Sequence, residues 1–176
     1  MKKNNKKEYN RIGILGGTFD PPHKGHLYIC KIALKKLKLD KIFWVVTKKN
    51  PLKKKPYLKE KIRIKLSREI TKKNKNIFVK YFDDKLKDST TFSLLSFIKR
   101  KNTKANLFFL IGADNLKEFY KWEKCDKIPK LAKIVVFPRK NYSLRPRVSK
   151  MISTKDLIYM KVKKIDISSS LIRKFW

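Results

Sequence analysis

Several residue types are scarce in this chain of 176 residues, and the scarcity excludes whole classes of protein. The two cysteines, Cys30 and Cys125, stand far apart, so neither a disulfide framework nor a cysteine metal site is expected. No apolar run approaches the length of a membrane span, and the lysine-rich start lacks the apolar core of a signal peptide. We therefore predict a cytoplasmic protein with buried or incidental thiols and no membrane partner.

Acidic residues are also few, since 14 acidic residues against 48 basic ones leave a formal charge of +34. Only eight of the basic residues are arginine, the side chain that base recognition and bidentate phosphate binding favour. The excess is lysine, which behaves as a solvated point charge. Such a surface attracts polyanions without specificity and steers anionic small molecules towards a cleft, so we expect no specific nucleic-acid partner.

The length and the 41% hydrophobic content are those of one domain with a core of ordinary size. We predict a disordered basic tail over residues 1–10 and a single domain over residues 11–176. Apolar periodicity predicts strands at 11–15, 42–47, 77–82, 107–111, 131–137 and 157–162, and helices at 25–39, 58–70, 91–100 and 113–122. This alternation predicts an α/β three-layer fold with a mainly parallel sheet, which binds ligands at the carboxyl ends of its strands.

Glycine and histidine are scarce as well, and most of them fall in the stretch Gly-Gly-Thr-Phe-Asp-Pro-Pro-His-Lys-Gly-His between Gly16 and His26. It holds both histidines and three of the five glycines. Gly16 and Gly17 let backbone amides approach a ligand and permit a turn with positive φ. His23 and His26 stand three residues apart at the start of a helix, so both imidazoles are expected to face one cavity.

An anion fits this stretch, because the unpaired amides and the dipole of the following helix both favour negative charge. Phosphate is the natural ligand, although the stretch is neither a Walker loop nor the glycine-rich fingerprint of dinucleotide-binding proteins. The alternative interpretation is an ordinary glycine turn beside two surface or metal-binding histidines.

The stretch resembles the signature of the nucleotidyltransferases that carry a His-x-Gly-His motif on a Rossmann-like fold. Its doubled glycine and the Pro22-His23 pair are most similar to those of the bacterial nicotinate-nucleotide adenylyltransferases. Two further segments resemble that family, namely Ile111 to Leu116 with Trp122 downstream, and Ile-Ser-Ser-Ser-Leu-Ile-Arg ending at Arg173.

The resemblance implies transfer of the adenylyl group from ATP to nicotinate mononucleotide, which gives deamido-NAD and pyrophosphate in NAD biosynthesis. A phosphate oxygen of the acceptor attacks in that reaction, so no protein nucleophile is needed. Catalysis then consists of positioning and charge stabilisation. Magnesium is expected to accompany ATP and to be held largely by its phosphates.

The resemblance also implies three groups of site residues. The catalytic side chains are His23, His26 and Arg173. The residues that bind ATP are Gly16, Gly17, Thr18, Phe19, Gly25, Gly112, Asp114, Ile167, Ser168, Ser169 and Ser170. The residues that bind the acceptor are Lys53, Thr91 and Trp122.

Within these groups, Asp114 is implied to bind the adenosine ribose, Thr91 the nicotinate carboxylate through its amide, and Trp122 the pyridine ring by stacking. Structural alternatives stay open at this point. Asp114 is equally suited to cap a helix, the serines at 168–170 to do the same, and Trp122 to belong to the core.

Two other functions also remain open. Pantetheine-phosphate adenylyltransferases of the coenzyme A pathway also carry an Ile-Ser-Ser-Ser segment, although the second glycine before Thr18 and the Trp122 segment disfavour them. A non-catalytic RNA-binding protein on the same fold would use the charge of +34. It would have no need of His23 and His26.

Overall fold

The computed structural model describes residues 9–50, 52, 54–139, 152–162 and 167–175. Strands and helices alternate along most of this part of the chain. The strands are β1 (Arg11–Gly17), β2 (Lys41–Val46), β3 (Ile77–Lys80), β4 (Asn106–Gly112), β5 (Lys133–Phe137) and β6 (Leu157–Tyr159). The helices are α1 (Lys24–Lys36), α2 (Glu60–Thr71), α3 (Thr91–Lys101), α4 (Ala113–Lys117), α5 (Ile128–Leu131) and α6 (Ser169–Arg173).

The six strands form one sheet in the order β3-β2-β1-β4-β5-β6, and each neighbouring pair is parallel. The chain runs outwards from β1 through β2 to β3 and then returns to place β4 on the other side of β1. Strand order therefore reverses between β1 and β4. In a sheet of this kind, the crevice beyond the carboxyl ends of those two strands is where ligands bind.

Two apolar layers cover the sheet, because its strands alternate their side chains between the two faces. Phe109 of β4 packs with Leu95 of α3 on one face. Leu110 of the same strand packs with Cys30 and Ala33 of α1 on the other. The predicted three-layer α/β architecture with a parallel sheet is confirmed, and its central strands are apolar on both faces because helices cover both.

Several predicted boundaries were wrong at the ends of elements. The predicted helix over 113–122 ends at Lys117 and is followed by a short 3-10 turn over Phe119–Lys121. The predicted strand over 131–137 begins only at Lys133, because Leu131 closes α5, a helix of one turn with a proline in that turn. The predicted strands at 77–82 and 157–162 end at Lys80 and Tyr159.

The described residues begin at Tyr9, two positions before the predicted start of the domain. Residues 1–8 of the predicted tail lie outside the described residues, whereas Tyr9 packs against the core and the carbonyl of Asn10 accepts a hydrogen bond from the amide of Asn106. Within the part of the chain that the structure describes, no helix has both the length and the apolar character needed to cross a bilayer.

Candidate active site

A cavity of about 510 Å³ opens at the carboxyl ends of the central strands. Its volume lies in the range of sites for small molecules. Its wall contains every predicted site residue except Lys53, which lies outside the described residues. The fold therefore brings together segments that stand as far apart in the sequence as Gly16 and Arg173.

The first segment of the wall is the end of β1, where the structure corrects one expectation. Gly16 and Gly17 were expected in the loop after the strand, where glycine permits positive φ, but both belong to the strand and pair with Val45 and Val46 of β2. No described glycine has positive φ, and the left-handed residue of this segment is Phe19, with φ of 49°. The turn therefore follows the two glycines.

The protein itself does not need glycine at these two positions. A Cβ atom on Gly16 would lie 3.6 Å from Leu94 Cδ2, and one on Gly17 would lie 3.5 Å from the Phe19 ring, both ordinary contact distances. At Gly13 a Cβ atom would lie 2.8 Å from Leu39 and Ile42, so that glycine is required by packing. Packing therefore leaves space for a Cβ atom at Gly16 and Gly17, both of which line the cavity.

The two histidines lie at the start of α1. His23 is the residue that caps the helix, and its backbone N–H donates to Nδ1 of His26 at 3.3 Å. The imidazoles are stacked, with centroids 3.7 Å apart. Because Nδ1 of His26 is an acceptor, the neutral ring carries its proton on Nε2 and can donate from that atom.

Aromatic side chains hold this histidine pair. Phe19 is buried and its ring meets His26 edge-on at 5.0 Å, while Trp44 of β2 lies 4.6 Å from Phe19 and 5.8 Å from His26. The side chain of Phe19, a predicted ATP contact, is thus placed as a support for the imidazole. Its backbone follows Thr18 along the cavity wall.

Both imidazoles are held in the neutral form. Burial, together with the positive charge of Arg139, lowers the pKa of His23 to about 4. Burial, the neighbouring His23 and Arg139 lower the pKa of His26 well below its ordinary value. At neutral pH the pair therefore presents hydrogen-bond donors and acceptors without a net charge.

The last helix, α6, closes one side of the cavity through its three serines and Arg173. Ser168 caps the helix, since its Oγ accepts from the amide of Leu171 at 3.1 Å. Ser169 Oγ donates to the carbonyl of Pro21 at 2.8 Å, and Ser170 Oγ accepts from Arg173 at 3.2 Å. Each serine hydroxyl therefore has a partner within the protein, as the capping alternative predicts for Ser168.

Arg173 crosses from α6 to the histidine segment. Its guanidinium donates to the carbonyl of Asp20 and lies 3.8 Å from the carboxylate of the same residue and 5.0 Å from the ring of Tyr57. This cation is thus held at the cavity wall, where an anionic ligand would meet it.

Asp20 and Arg63 are structural residues of the site that the sequence analysis did not include. The buried carboxylate of Asp20 accepts the amides of Tyr57 at 2.8 Å and Leu58 at 2.9 Å. The guanidinium of Arg63 is 2% exposed and donates to four carbonyls, those of Thr18, Thr47, Lys48 and Leu58. The two side chains fix the segment after β2 against the segment after β1.

The low number of arginine and acidic residues in the sequence could have identified Arg63 and Asp20 as candidates. Asp20 is one of 14 acidic residues and Arg63 one of eight arginines in a lysine-rich chain. The rule that singled out the glycines and histidines would have drawn attention to both, had it been applied to arginine and aspartate.

Asp114, at the start of α4, is placed on the cavity wall but does not cap the helix. The capping residue is Gly112, whereas Oδ2 of Asp114 accepts from Nη1 of Arg139 at 2.6 Å. A Cβ atom on Gly112 would lie 2.3 Å from Oδ1 of Asp114, so the glycine is needed for this carboxylate to take its position. The helix-cap alternative for Asp114 is therefore wrong.

The predicted acceptor residues lie on the wall at α3 and after α4. Thr91 is the first residue of α3, next to Thr90, whose Oγ1 caps the helix by accepting from Ser93 at 3.2 Å. Trp122 is half-buried, with its ring 5.1 Å from Phe119 and 6.0 Å from Phe109, and it also lines the cavity. Trp122 thus belongs to the edge of the core and to the cavity at once.

The family relationships agree with this geometry. The sequence model of the cytidylyltransferase-like family matches residues 14–175. A protein of Pelagibacter ubique named "Probable nicotinate-nucleotide adenylyltransferase" is 42% identical over 93% of this chain and 92% of its own length. A protein of Nitratiruptor with the same name is 35% identical over 93% of this chain and 87% of its own.

The fold is also that of a solved structure. The nicotinic acid mononucleotide adenylyltransferase of Plasmodium falciparum, solved in complex with NaAD, superposes with a TM-score of 0.80. The likeness covers 94% of this chain and 83% of that one at 20% sequence identity. At that identity the comparison supports the fold and carries no residue roles.

Proposed function

The chain belongs to the cytidylyltransferase-like family and, within it, to the nicotinate-nucleotide adenylyltransferases, and we propose that it transfers the adenylyl group of ATP to nicotinate mononucleotide. The products are deamido-NAD and pyrophosphate. One observation carries the proposal above all others, which is the stacked pair of neutral imidazoles beside two cavity-lining glycines that packing does not require. This combination suits a phosphate chain lying against the end of β1.

The bond changes in this reaction need no protein nucleophile. A phosphate oxygen of the mononucleotide attacks the α-phosphorus of ATP, and the bond from that phosphorus to the bridging oxygen of the β-phosphate breaks. The electron pair of the broken bond leaves with pyrophosphate. The protein is left to align the two substrates and to stabilise the charge that builds up on the phosphoryl oxygens.

The histidines are suited to that second task. His26, with its proton on Nε2, donates a hydrogen bond to an oxygen of the phosphate chain, and His23 lies stacked beside it. Because both rings are neutral before ATP binds, they enter the interaction as hydrogen-bond donors at a buried site, where such bonds are strong. The amides at Gly16, Gly17 and Thr18 add backbone donors.

Next to the histidine segment, α6 supplies a cation and backbone amides. Ser169 Oγ donates to the carbonyl of Pro21, whereas the hydroxyls of Ser168 and Ser170 accept hydrogen bonds within the protein. We therefore assign phosphate binding to the O–H groups of Ser168 and Ser170 and to amides of the segment that begins at Ile167. Arg173, held by Asp20, faces the leaving phosphates. This arrangement places positive charge where pyrophosphate departs.

Magnesium enters the proposal as part of the substrate. Among the described residues there is no group of three or more histidine, cysteine, aspartate or glutamate side chains suited to hold a cation. We propose that Mg²⁺ arrives coordinated by the phosphates of ATP.

For the acceptor we propose the side of the cavity formed by Thr91 and Trp122. The part of Lys53 in binding the acceptor stays a prediction from the sequence, since Lys53 lies outside the described residues. The amide of Thr91 lies in the first turn of α3, where backbone N–H groups lack helical partners and suit a carboxylate. Trp122 provides an aromatic surface for a pyridine ring. We place the reaction in the cytoplasm, which the two free, buried cysteines support.

Product analysis tests this function. The purified chain is incubated with Mg–ATP and nicotinate mononucleotide. The nucleotides are separated and identified by mass spectrometry, and the pyrophosphate released is quantified. We expect deamido-NAD in equal amount to pyrophosphate. Pyrophosphate without a dinucleotide would instead show that ATP is merely hydrolysed.

A further inference from the structure

Arg139 is a cation that lines the cavity, and the proposed function gives it no role. It follows directly after β5 and Pro138, and its side chain is about one third exposed. Its Nη1 donates to Oδ2 of Asp114 at 2.6 Å. Among the described residues, Asp114 is the one hydrogen-bond partner of this guanidinium.

Toward the residues that the structure describes, the Arg139 guanidinium therefore has N–H groups without a partner. It carries five N–H groups in a planar fork that matches the oxygens of a phosphate. One of them serves Asp114, and the position of the side chain on the cavity wall lets the others face a ligand. Arg139 lines the same cavity as His23 and His26, and its positive charge contributes to lowering the pKa of both imidazoles.

We propose that Arg139 binds the phosphate chain of ATP next to the adenosine, at the α-phosphate, and that it is held in place for this by Asp114. The inference rests on the proposed function, since it concerns the same cavity and the same nucleotide.

The neighbours of Arg139 favour ATP over the acceptor. Asp114 and Gly112 lie where the adenosine is expected, and the histidine pair lies where the phosphates are expected. A guanidinium held against the carboxylate that we assign to the ribose is suited to bind the first phosphate of the same nucleotide. The acceptor residues Thr91 and Trp122 come from other elements, α3 and the segment after α4.

The ion pair between Arg139 and Asp114 allows both side chains to change partners when ATP binds. In the protein without ligand, the carboxylate and the guanidinium satisfy each other's charge in a half-buried position. When ATP binds, the phosphate takes up guanidinium donors, and the carboxylate can accept a ribose hydroxyl without losing its cationic neighbour. Binding of the phosphate and of the ribose is thereby coupled through one ion pair.

The test is a series of binding measurements by calorimetry with adenosine, AMP and Mg–ATP. Arg139→Gln is compared with the wild type, with Arg139→Lys, which keeps the charge but loses the fork, and with Arg100→Gln. Arg100 is an exposed arginine in the last turn of α3 and does not line the cavity, so it controls for the loss of one positive charge.

We expect Arg139→Gln to weaken the binding of AMP and of Mg–ATP by roughly 10- to 100-fold, because a charge-assisted hydrogen bond is lost. The affinity for adenosine should change by less than about threefold. The affinity of Arg139→Lys for AMP and Mg–ATP should lie between those of the wild type and Arg139→Gln. Arg100→Gln should bind all three ligands like the wild type. In turnover assays the KM for ATP should rise while that for nicotinate mononucleotide stays within about twofold.

Two results would overturn the inference. If Arg139→Gln lowers the affinities for adenosine, AMP and Mg–ATP by the same factor, Arg139 only positions Asp114 for the ribose. If none weakens, it does not contact the nucleotide. Thermal unfolding checks that each variant is folded, and Arg139→Lys keeps the ion pair should Arg139→Gln prove unstable.

The outcome is separable from that of the proposed function. Binding of adenine ligands needs no acceptor, so a chain that binds ATP but makes no deamido-NAD would refute the proposed acceptor and still decide the role of Arg139. A chain that binds no adenine nucleotide would refute both.

Discussion

The backbone N–H of His23 donates to Nδ1 of His26, and the two imidazoles stack with centroids 3.7 Å apart. The contact settles which nitrogen of His26 carries the proton, and it turns Nε2 into a donor. It also joins the residue that caps α1 to the residue three positions later, so the start of the helix and the candidate site are the same structure.

Replacement of His26 should therefore affect turnover far more than folding. We expect His26→Ala to lower kcat by roughly 100- to 1000-fold, the usual effect of losing one donor to a developing phosphoryl charge. His26→Gln, whose amide nitrogen can stand near the position of Nε2, should retain more activity than His26→Asn. Steady-state kinetics and circular dichroism check this, and normal turnover in His26→Ala would contradict the proposed role.

The lowered histidine pKa values predict a dependence of stability on pH. In the unfolded chain His23 takes up a proton below its ordinary pKa of 6.5, whereas in the folded chain it does so only near pH 4. The unfolded state thus binds more protons between those values, so the free energy of unfolding should fall as pH drops from about 6.5 to 4. His23 alone accounts for up to roughly 3 kcal/mol, and His26 acts in the same direction.

Urea unfolding at pH 7 and pH 5 measures that slope. In His23→Gln the difference between the two pH values should shrink, because one of the two buried imidazoles no longer titrates. An equal slope in the variant and the wild type would show that His23 is not held neutral by the fold.

Alanine substitutions at Gly13 and Gly16 of β1 should have different effects, one on packing and the other on ligand binding. Gly13→Ala is expected to cost about 1–3 kcal/mol of stability, since its new Cβ would meet Leu39 and Ile42 at 2.8 Å. Gly16→Ala, with 3.6 Å to the nearest atom, should fold with nearly unchanged stability and yet bind ATP at least tenfold more weakly. Thermal unfolding and ATP calorimetry check both variants, and undiminished ATP binding by Gly16→Ala would remove the argument from these glycines.

Arg63 should be essential to the shape of the site. Arg63→Met leaves the carbonyls of Thr18, Thr47, Lys48 and Leu58 without their buried donor, so we expect a loss of roughly 3–5 kcal/mol of unfolding free energy. Arg68→Met, on an exposed position of the same helix, is the matched control and should be neutral. Similar unfolding midpoints for the two variants would contradict this account of Arg63.

Much of the site could be predicted because its chemistry depends on residue types that this sequence otherwise avoids. Gly16, His23, Gly112 and Arg173 stand in separate segments, yet apolar periodicity assigned those segments to strand ends or helix starts, and a parallel sheet gathers strand ends at one edge. The parallel sheet and the layers of helices followed from the same periodicity.

The conformation of the glycine segment could not be predicted from the sequence. Gly16 and Gly17 have weak strand propensity, but their pairing with Val45 and Val46 of β2 extends the strand by two residues beyond the apolar run. The left-handed conformation then falls on Phe19, whose ring is fixed by Trp44. Tertiary contacts thus overrode local preference at this point.

Contacts between residues far apart in the chain could also not be predicted from the sequence. The predicted helix over 113–122 breaks after Lys117, where packing of Phe119 into the core replaces helix propensity. Ser168, Ser169 and Ser170 were predicted to bind ATP, yet the hydroxyl of Ser169 donates to the carbonyl of Pro21, a partner 148 residues away. Only the three-dimensional fold shows that such groups are already engaged.

The central claim is that this cavity joins ATP to nicotinate mononucleotide. It is tested most directly by the rate of pyrophosphate release from Mg–ATP with three acceptors offered separately: nicotinate mononucleotide, its amide analogue and phosphopantetheine. The account predicts the fastest release with a pyridine mononucleotide, nicotinate mononucleotide above its amide, and none above background with phosphopantetheine. Preference for phosphopantetheine, or no acceptor-dependent release at all, would contradict it.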